Sequence, residues 1–280
     1  MSNENQPFTS KIALIPGGSK GMGKAVAKLF IQMGGSVCII ARDLETLKTA
    51  QQECENVKSN SEQFVEIISC DTTDMDKLKP LIEGFIQKHG VPDYLFNFVG
   101  YAFVQYLEKL TLDDFKNNMN VNYYGQLIPT LIILPYLMEA KNGYITFTSS
   151  VLGFMAIMGY TTYVPSKYAI FGLAEVLRHE LFPFNIKVSI LFPADTDTPG
   201  FEEENKLKPE ECKIISESGT LMSAEEVADE FIKCILEERF EILPGEAEIQ
   251  LKSMRENPED IRGVTDRLYK RARRKTGRKL

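Results

Sequence analysis

Short apolar runs alternate with longer amphipathic stretches along most of the chain. Each apolar run has the length of a buried strand, and the stretches between them carry apolar residues at helical spacing. We predict strands at residues 11–15, 36–41, 64–69, 94–100, 143–150 and 186–193, with an edge strand at 240–243. We predict helices at residues 23–33, 44–59, 75–89, 111–140, 163–182 and 223–238.

The alternation of buried strands and helices is typical of a parallel sheet that is covered on both faces. Right-handed crossovers between such strands give a Rossmann-type doubly wound α/β fold with three layers, α/β/α. In these folds ligands bind at the carboxyl ends of the strands. The unusual polar residues of this chain follow the strands, so we expect its functional site at that edge of the sheet.

Composition agrees with one globular domain. The chain has 280 residues, of which 44% are hydrophobic and 25% are charged, and no low-complexity linker divides it. Formal net charge is −7, which argues against a nucleic-acid binder. We predict a single domain at residues 1–265, with a substrate lid at about 195–222, and a basic tail at 266–280. The tail has one acid, Asp266, and eight basic residues, Arg267, Lys270, Arg271, Arg273, Arg274, Lys275, Arg278 and Lys279.

Cysteine and histidine usage argues against a metal site. Five scattered cysteines show no metal-ligand spacing, and His89 and His179 are the only histidines. Free cysteines indicate a reducing compartment. The polar start of the sequence does not have the pattern of a signal peptide, and no window is long and apolar enough to span a membrane. We therefore expect a cytoplasmic protein without a metal.

Two motifs carry chemistry. The stretch PGGSKGMG (16–23) follows the first strand and begins the first helix, and its glycines Gly17, Gly21 and Gly23 allow a backbone approach to a pyrophosphate. Later, Ser150 ends the fifth strand, and Tyr163 and Lys167 follow with the spacing Y-x-x-x-K. Residues at i and i+4 share one helix face, so the hydroxyl and the ammonium should lie side by side.

Together these motifs resemble the short-chain dehydrogenase/reductase family over residues 9–200. The family usually has Thr where this chain has Pro16, and Pro cannot supply an N–H to the turn. The resemblance implies an NADP(H) or NAD(H) cofactor. Its contacts would come from the following residues: Gly17, Ser19, Lys20, Gly21, Met22, Gly23, Arg42, Asp71, Thr72, Asn97, Gly100, Tyr163, Lys167, Pro193, Thr196 and Thr198.

Two cations favour NADPH over NADH. Arg42 ends the second strand, where an acid would contact a ribose 2′-hydroxyl, and Lys20 lies inside the glycine turn. Cations at that place suit the 2′-phosphate of NADPH. The neighbouring Asp43 leaves the alternative open that both are solvated surface charges.

By the same resemblance, Asn122, Ser150, Tyr163 and Lys167 are the catalytic residues of a carbonyl reductase. Tyr163 would protonate the developing alkoxide, and Ser150 would donate to the substrate oxygen. We expect the Lys167 ammonium to lower the Tyr163 pKa, which is about 10 in free tyrosine. Asn122 would hold a water that connects Lys167 to solvent.

The segment after the sixth strand, PADTDTPGFEEENKLKP (193–209), resembles the 3-ketodihydrosphingosine reductases within that family. These enzymes reduce the C3 ketone of a long-chain amino ketone with NADPH. We hypothesise that Asp195 or Asp197, helped by residues 202–204, receives the substrate amine. The alternative is that the aspartates cap a turn and the glutamates begin a solvated lid helix. Rival activities are those of a 3-oxoacyl-thioester reductase and of a hydroxysteroid or retinoid dehydrogenase.

Three further features have two interpretations each. The apolar run 151–160, with Phe154 and Met155, either forms a trough for the acyl chain or packs against a helix or a second subunit. The basic tail either lies on an anionic membrane or stays solvated. The whole chain is either an enzyme or a cofactor-binding regulator, and the four intact catalytic positions favour the enzyme. Family members pair through helices 111–140 and 163–182, which implies a homodimer or homotetramer.

Overall fold

The computed structural model describes residues 6–217 and 219–277. Its main sheet has seven parallel strands in the order β3-β2-β1-β4-β5-β6-β9. These strands are β1 Ile12–Pro16, β2 Ser36–Ala41, β3 Val65–Ser69, β4 Tyr94–Phe96, β5 Gly143–Thr148, β6 Ile186–Leu191 and β9 Glu241–Ile242. A separate pair joins β7 Thr196–Asp197 to β8 Met222–Ser223. The predicted doubly wound fold and the edge strand are confirmed.

Helices cover both faces of the sheet. One face packs against α1 (Gly21–Gln32), α2 (Leu44–Glu55) and α9 (Ala224–Leu236). The other packs against α3 (Met75–His89), α5 (Gly125–Ala140) and α6 (Tyr163–Glu180). The remaining helices are α4 Leu112–Met119, α7 Pro199–Leu207, α8 Glu210–Ser216, α10 Ala247–Glu256 and α11 Pro258–Thr276. The order of the strands reverses between β1 and β4, and the crevice above that point is where such folds bind ligands.

Three strands end earlier than predicted, and each shortened end contributes to the site. The backbone N–H of Phe98 bonds to the Pro16 carbonyl at 2.8 Å, so hydrogen bonding to β1 continues two residues past the end of β4. Ser149 N bonds to the Leu191 carbonyl at 2.8 Å and Phe192 N bonds to the Ile242 carbonyl at 2.9 Å, just past the ends of β5 and β6. Continuous apolar composition cannot reveal where a buried strand stops bonding to its neighbours.

The predicted helix 111–140 is divided into α4 and α5 by a π-helical turn at Asn120–Tyr124. Its start is fixed by a capping box between Thr111 and Asp114. A second capping box, between Ser223 and Glu226, begins α9, with Glu226 N donating to Ser223 Oγ at 3.1 Å. The five cysteines are free and buried, as expected.

The end of the chain differs from the predicted tail. Helix α11 runs through the expected boundary at residue 265 and packs on α8 and α10, with Ala272 fully buried. Arg278 and Lys279 lie outside the described residues. Within the described residues, no helix combines the length and the apolar character that crossing a bilayer requires.

Candidate active site

A cavity of about 610 Å³ opens at the carboxyl ends of β4, β5 and β6. Tyr163, Lys167 and Ser150 line it together with Gly100 and the segment that begins at Pro193. The size is that of a pocket for a small molecule. The structure therefore brings three of the four predicted catalytic residues to one cavity, which Asn122 does not line. Of the glycine turn, Met22 alone reaches the cavity wall.

The glycine turn has the geometry that a dinucleotide needs. Gly17 has φ +81°, and a Cβ there would lie 2.7 Å from the backbone of Phe98. A Cβ on Gly23 would lie 2.5 Å from the Gly17 carbonyl oxygen. Lys20, the N-cap of α1, makes no side-chain cap, and the first turn of α1 has no acid. Uncapped N–H groups at a helix N-terminus favour an anion, so this turn fits a pyrophosphate.

The cofactor preference was predicted from the charges near the end of β2, whose contacts are as follows. Asp43 accepts a hydrogen bond from Thr46 N at 2.8 Å and caps α2. That bond and the nearby Lys20 hold the Asp43 pKa below its usual range. Arg42 is exposed and lies 3.9 Å from Asp71. The Asp43 carboxylate therefore caps α2, whereas the side chains of Lys20 and Arg42 are exposed and could contact a ligand.

Three residues predicted to bind the cofactor are buried or hydrogen-bonded within the protein. Asp71 accepts bonds from Thr73 N at 2.9 Å and Thr73 Oγ1 at 2.8 Å. Thr72 is buried. Asn97 has no exposed surface and donates to the Thr146 carbonyl at 3.0 Å, so its amide ties the β4 end to β5 and does not line the cavity.

Ser150 and Tyr163 form the reacting end of the cavity. Burial and the negative charges of Glu204 and Asp195 raise the Tyr163 pKa, and the Ser150 hydroxyl opposes this shift because it favours the phenolate. The Tyr163 hydroxyl is therefore protonated at neutral pH and can donate a proton to a bound oxygen.

Lys167 is 2% exposed, and its Nζ donates to the Thr148 carbonyl at 2.9 Å. Burial lowers its pKa to about 7. Nζ lies 5.4 Å from the centroid of the Tyr163 ring. The expectation that this ammonium lowers the Tyr163 pKa is wrong for the structure, because burial disfavours the charged form of both groups.

Asn122 stands in the π-helical turn and holds the loop after β4. Its Oδ1 accepts from Tyr101 N at 2.8 Å, and its Nδ2 donates to the Tyr101 carbonyl at 3.0 Å. A Cβ on Gly100 would lie 3.2 Å from Asn122 Oδ1 and 3.1 Å from Lys167 Nζ. Asn122 therefore fixes the backbone against which Lys167 packs.

The segment after β6 separates the two predicted aspartates. Asp195 lines the cavity, whereas Asp197 is exposed and lies outside it. Thr198 caps α7 by accepting from Phe201 N at 3.2 Å, and its methyl group would touch a Cβ on Gly21 at 2.9 Å. The side chain of Thr196 is bonded to the Ala194 carbonyl at 2.9 Å. This segment thus closes over the glycine turn, and Asp195 is its one aspartate at the cavity.

Two distant parts of the chain contribute to the apolar wall of the cavity. Met155 lines it, as predicted, but Phe154 packs in the core against Phe192, with ring centroids 5.4 Å apart. Three residues of α11 complete the wall: Ile261, Val264 and Leu268. The apolar side of the C-terminal helix therefore faces the cavity. The sequence shows these apolar residues at helical spacing, but it does not show which surface they cover.

Sequence reasoning also missed a polar cluster in the wall. Glu204 lines the cavity, and the Tyr160 hydroxyl donates to its Oε1 at 2.7 Å. Lys208, whose side chain has no exposed surface, makes an ion pair with the same oxygen at 2.9 Å. Glu202 and Glu203, which were grouped with Glu204, are exposed and lie outside the cavity.

Comparisons with known proteins agree with this geometry. The family described as short chain dehydrogenase matches residues 11–209. A 3-dehydrosphinganine reductase from Danio rerio is 39% identical over 228 residues, covering 81% of this chain and 69% of the relative. A 3-ketodihydrosphingosine reductase from Mus musculus is 33% identical over 256 residues, covering 91% and 77%.

A solved structure gives the same result for the fold. A 3-oxoacyl-[acyl-carrier protein] reductase from Brucella melitensis with bound NAD superposes with a TM-score of 0.68 at 25% identity. The match covers 80% of this chain and 83% of that one.

Proposed function

Because the chain belongs to the short-chain dehydrogenase/reductase family and is an oxidoreductase, we propose that it is an NADPH-dependent carbonyl reductase. Its substrate in this proposal is a 3-ketodihydrosphingosine-like long-chain amino ketone, which it reduces at C3 in sphingolipid-type synthesis. The observation that carries the proposal is the meeting of Ser150, Tyr163 and Lys167 in one cavity whose lining combines apolar side chains with the carboxylates of Asp195 and Glu204.

The residues act on the ketone as follows. Ser150 and Tyr163 bind the carbonyl oxygen, and Tyr163 gives it a proton as the carbonyl carbon is reduced. NADPH, when bound, supplies the hydride for that carbon. Lys167 holds its position through Thr148 and, by resemblance, binds the ribose next to the nicotinamide. A protonated Tyr163 suits the reductive direction.

The choice of NADPH over NADH is supported by Lys20 and Arg42. Both are exposed at the carboxyl ends of β1 and β2, and Asp43 is engaged as a helix cap. A 2′-phosphate gains charge-assisted hydrogen bonds from such cations. The NAD-bound relative leaves NADH as the alternative.

The substrate class is supported by the relatives and by the lining of the cavity. The curated relatives are named for the reduction of a sphingoid ketone. Met155, Ile157, Val264 and Leu268 offer apolar surface to an alkyl chain, and Asp195 and Glu204 stand near the catalytic tyrosine. A 3-oxoacyl thioester has the same reacting ketone but no ammonium.

A panel of ketones tests the proposal. NADPH and NADH oxidation should be followed with 3-ketosphinganine, a 3-oxoacyl thioester and a hydroxysteroid-type ketone. We expect the highest kcat/KM with 3-ketosphinganine and NADPH. Faster turnover of the thioester would assign the chain to the rival activity. Absence of turnover with every ketone, although NADPH binds, would favour a cofactor-binding regulator.

Two further parts of the proposal concern partners. The outward side of α11 presents five exposed cations, which would attract an anionic membrane on the cytoplasmic side: Arg267, Lys270, Arg271, Arg274 and Lys275. Co-sedimentation with phosphatidylserine liposomes should decrease when Arg267, Arg271 and Arg274 are changed to Gln. Unchanged co-sedimentation would remove this role.

Exposed apolar side chains on α5 and α6 also support a homodimer or homotetramer. Leu131 is 46% exposed and Val176 is 53% exposed. Sedimentation velocity should show an oligomer that Val176→Asp weakens, and a monomeric wild type would overturn this assignment.

A further inference from the structure

The cavity contains a charged cluster with more carboxylates than cations. Glu204 Oε1 accepts both the Tyr160 hydroxyl and the Lys208 ammonium. Lys208 Nζ also donates to Ser216 Oγ at 2.9 Å, and the Ser216 hydroxyl is hydrogen-bonded to Asp195. One buried ammonium therefore serves two carboxylates, Glu204 directly and Asp195 through a serine.

This cluster lies beside the reacting groups. Ser150 Oγ is 3.5 Å from the carbonyl oxygen of Pro193, and Asp195 follows two residues later. The Tyr160 ring, whose hydroxyl binds Glu204, has its centroid 5.9 Å from that of Tyr163. The carboxylates also act electrostatically on Tyr163 and raise its pKa. The cluster is thus part of the wall that a ketone held by Ser150 and Tyr163 must meet.

The unbalanced charge is the feature that indicates a ligand. Burial and the charge of Glu204 raise the Asp195 pKa, although Lys208 opposes the shift. A buried carboxylate without its own counter-ion is unfavourable, and a second cation relieves this cost. The Tyr160 hydroxyl and the Lys208 ammonium both contact Oε1 of Glu204. The other carboxylate of the lining, Glu246, is exposed and accepts from Thr220.

We propose that Asp195, Glu204 and Lys208 form an amine subsite, in which Lys208 neutralises one carboxylate charge and the other binds a primary ammonium next to the reacting ketone. The inference rests on the proposed function, because it assigns the position of the ketone from Ser150 and Tyr163. In a 2-amino-3-ketone the ammonium is separated from the carbonyl carbon by one carbon atom. A ketone oxygen at Tyr163 therefore brings the ammonium to the adjacent wall.

A set of three ketones with the same chain tests the subsite. The first carries the free 2-amine, the second its N-acetyl derivative, and the third has no nitrogen. Asp195→Asn should raise KM for the amino ketone about tenfold or more, because a charge-assisted bond is lost. KM for the nitrogen-free ketone should change less than about twofold. Asp197→Asn is the matched control and should change neither value.

Variants that change the net charge of the cluster distinguish binding of an ammonium from an effect of side-chain packing. Glu204→Gln leaves the cluster neutral and should remove most of the preference for the amine. Adding Lys208→Met restores one surplus negative charge, so the double variant should regain that preference. Removing both partners of a buried pair is tolerated better than removing one. A double variant that folds and still behaves like Glu204→Gln would contradict the proposal.

A binding measurement keeps the test independent of turnover. With NADPH bound, a long-chain 2-amino alcohol should raise the Tm of the wild-type protein more than the matched alcohol without nitrogen does. Asp195→Asn should abolish the difference. Equal shifts in the wild type would overturn the subsite, whether or not the protein reduces a ketone. Reduction of all three ketones at equal rates would overturn it as well and leave the proposed function standing.

Discussion

A methyl group placed on Gly100 would lie 3.1 Å from the ammonium nitrogen of Lys167. Glycine is therefore required here by close packing and not by its backbone angles, because Gly100 is not among the glycines with positive φ. The loop after β4 and the catalytic helix α6 meet at this point. Asn122 fixes the same loop through Tyr101, so Lys167 is held from two directions.

Gly100→Ala should reduce kcat by about tenfold or more, because small displacements of catalytic groups have large effects on rate. The Tm should fall only slightly, since the methyl meets the ends of two side chains, Lys167 and Asn122, and no backbone atom. Steady-state kinetics and a thermal melt check both parts. Gly172→Ala, on the same helix as Lys167 and with open space around it, is the control and should leave kcat unchanged. Equal kcat in the two variants would contradict the packing argument.

Arg42→Ala should lower the ratio of kcat/KM for NADPH to that for NADH by about tenfold, because a charge-assisted contact with the 2′-phosphate is lost. The loss should appear in KM for NADPH, with KM for NADH almost unchanged. Lys48→Ala removes an exposed cation on α2 that pairs with Glu45, and it serves as the control. If Arg42→Ala lowers kcat/KM for NADPH and NADH equally, Arg42 does not contact the 2′-phosphate.

Leu268→Asn should raise KM for a long-chain ketone about fivefold or more, because apolar surface in the cavity wall is lost. KM for a short ketone of the same head group should change little. Lys270→Gln changes the outward side of α11 and should leave both values as in the wild type. A uniform loss of activity on all chain lengths would mean that Leu268 stabilises the fold and does not bind the alkyl chain.

The pH dependence of reduction should depend on the negative charge of the carboxylates near Tyr163. Their negative charge raises the Tyr163 pKa, so Glu204→Gln should lower it. The pH above which reduction declines then moves downward, because Tyr163 must be protonated to donate. The profile should be measured with the nitrogen-free ketone, which avoids the amine subsite. Glu202→Gln, at an exposed position of α7, should leave the profile in place.

Local sequence signals predicted the fold and the reacting groups. The glycine turn and the pair Tyr163 and Lys167 each lie within one short segment, and their spacing fixes their geometry. The strand periodicity likewise follows from burial on both faces of the sheet. These parts of the site needed no knowledge of the packing between distant segments.

The rest depended on tertiary packing. Asn97 was assigned to the cofactor, but only the structure reveals that its amide is buried against β5. Glu204 and Lys208 are paired by their i, i+4 spacing at the end of α7, but the sequence does not indicate that this pair lies at the cavity. The role of Leu268 required knowing that α11 returns to the site. The direction of the Tyr163 pKa shift was predicted wrongly because it depends on burial and on those same carboxylates.

The replacement of Tyr163 by Phe tests the central claim most directly. The change removes the hydroxyl that protonates the substrate and leaves the ring that packs near Lys167. NADPH affinity should stay within about threefold of the wild type, while NADPH oxidation with 3-ketosphinganine falls by about a thousandfold or more. Turnover within tenfold of the wild-type rate would contradict the assignment of Tyr163 as the proton donor of a carbonyl reductase.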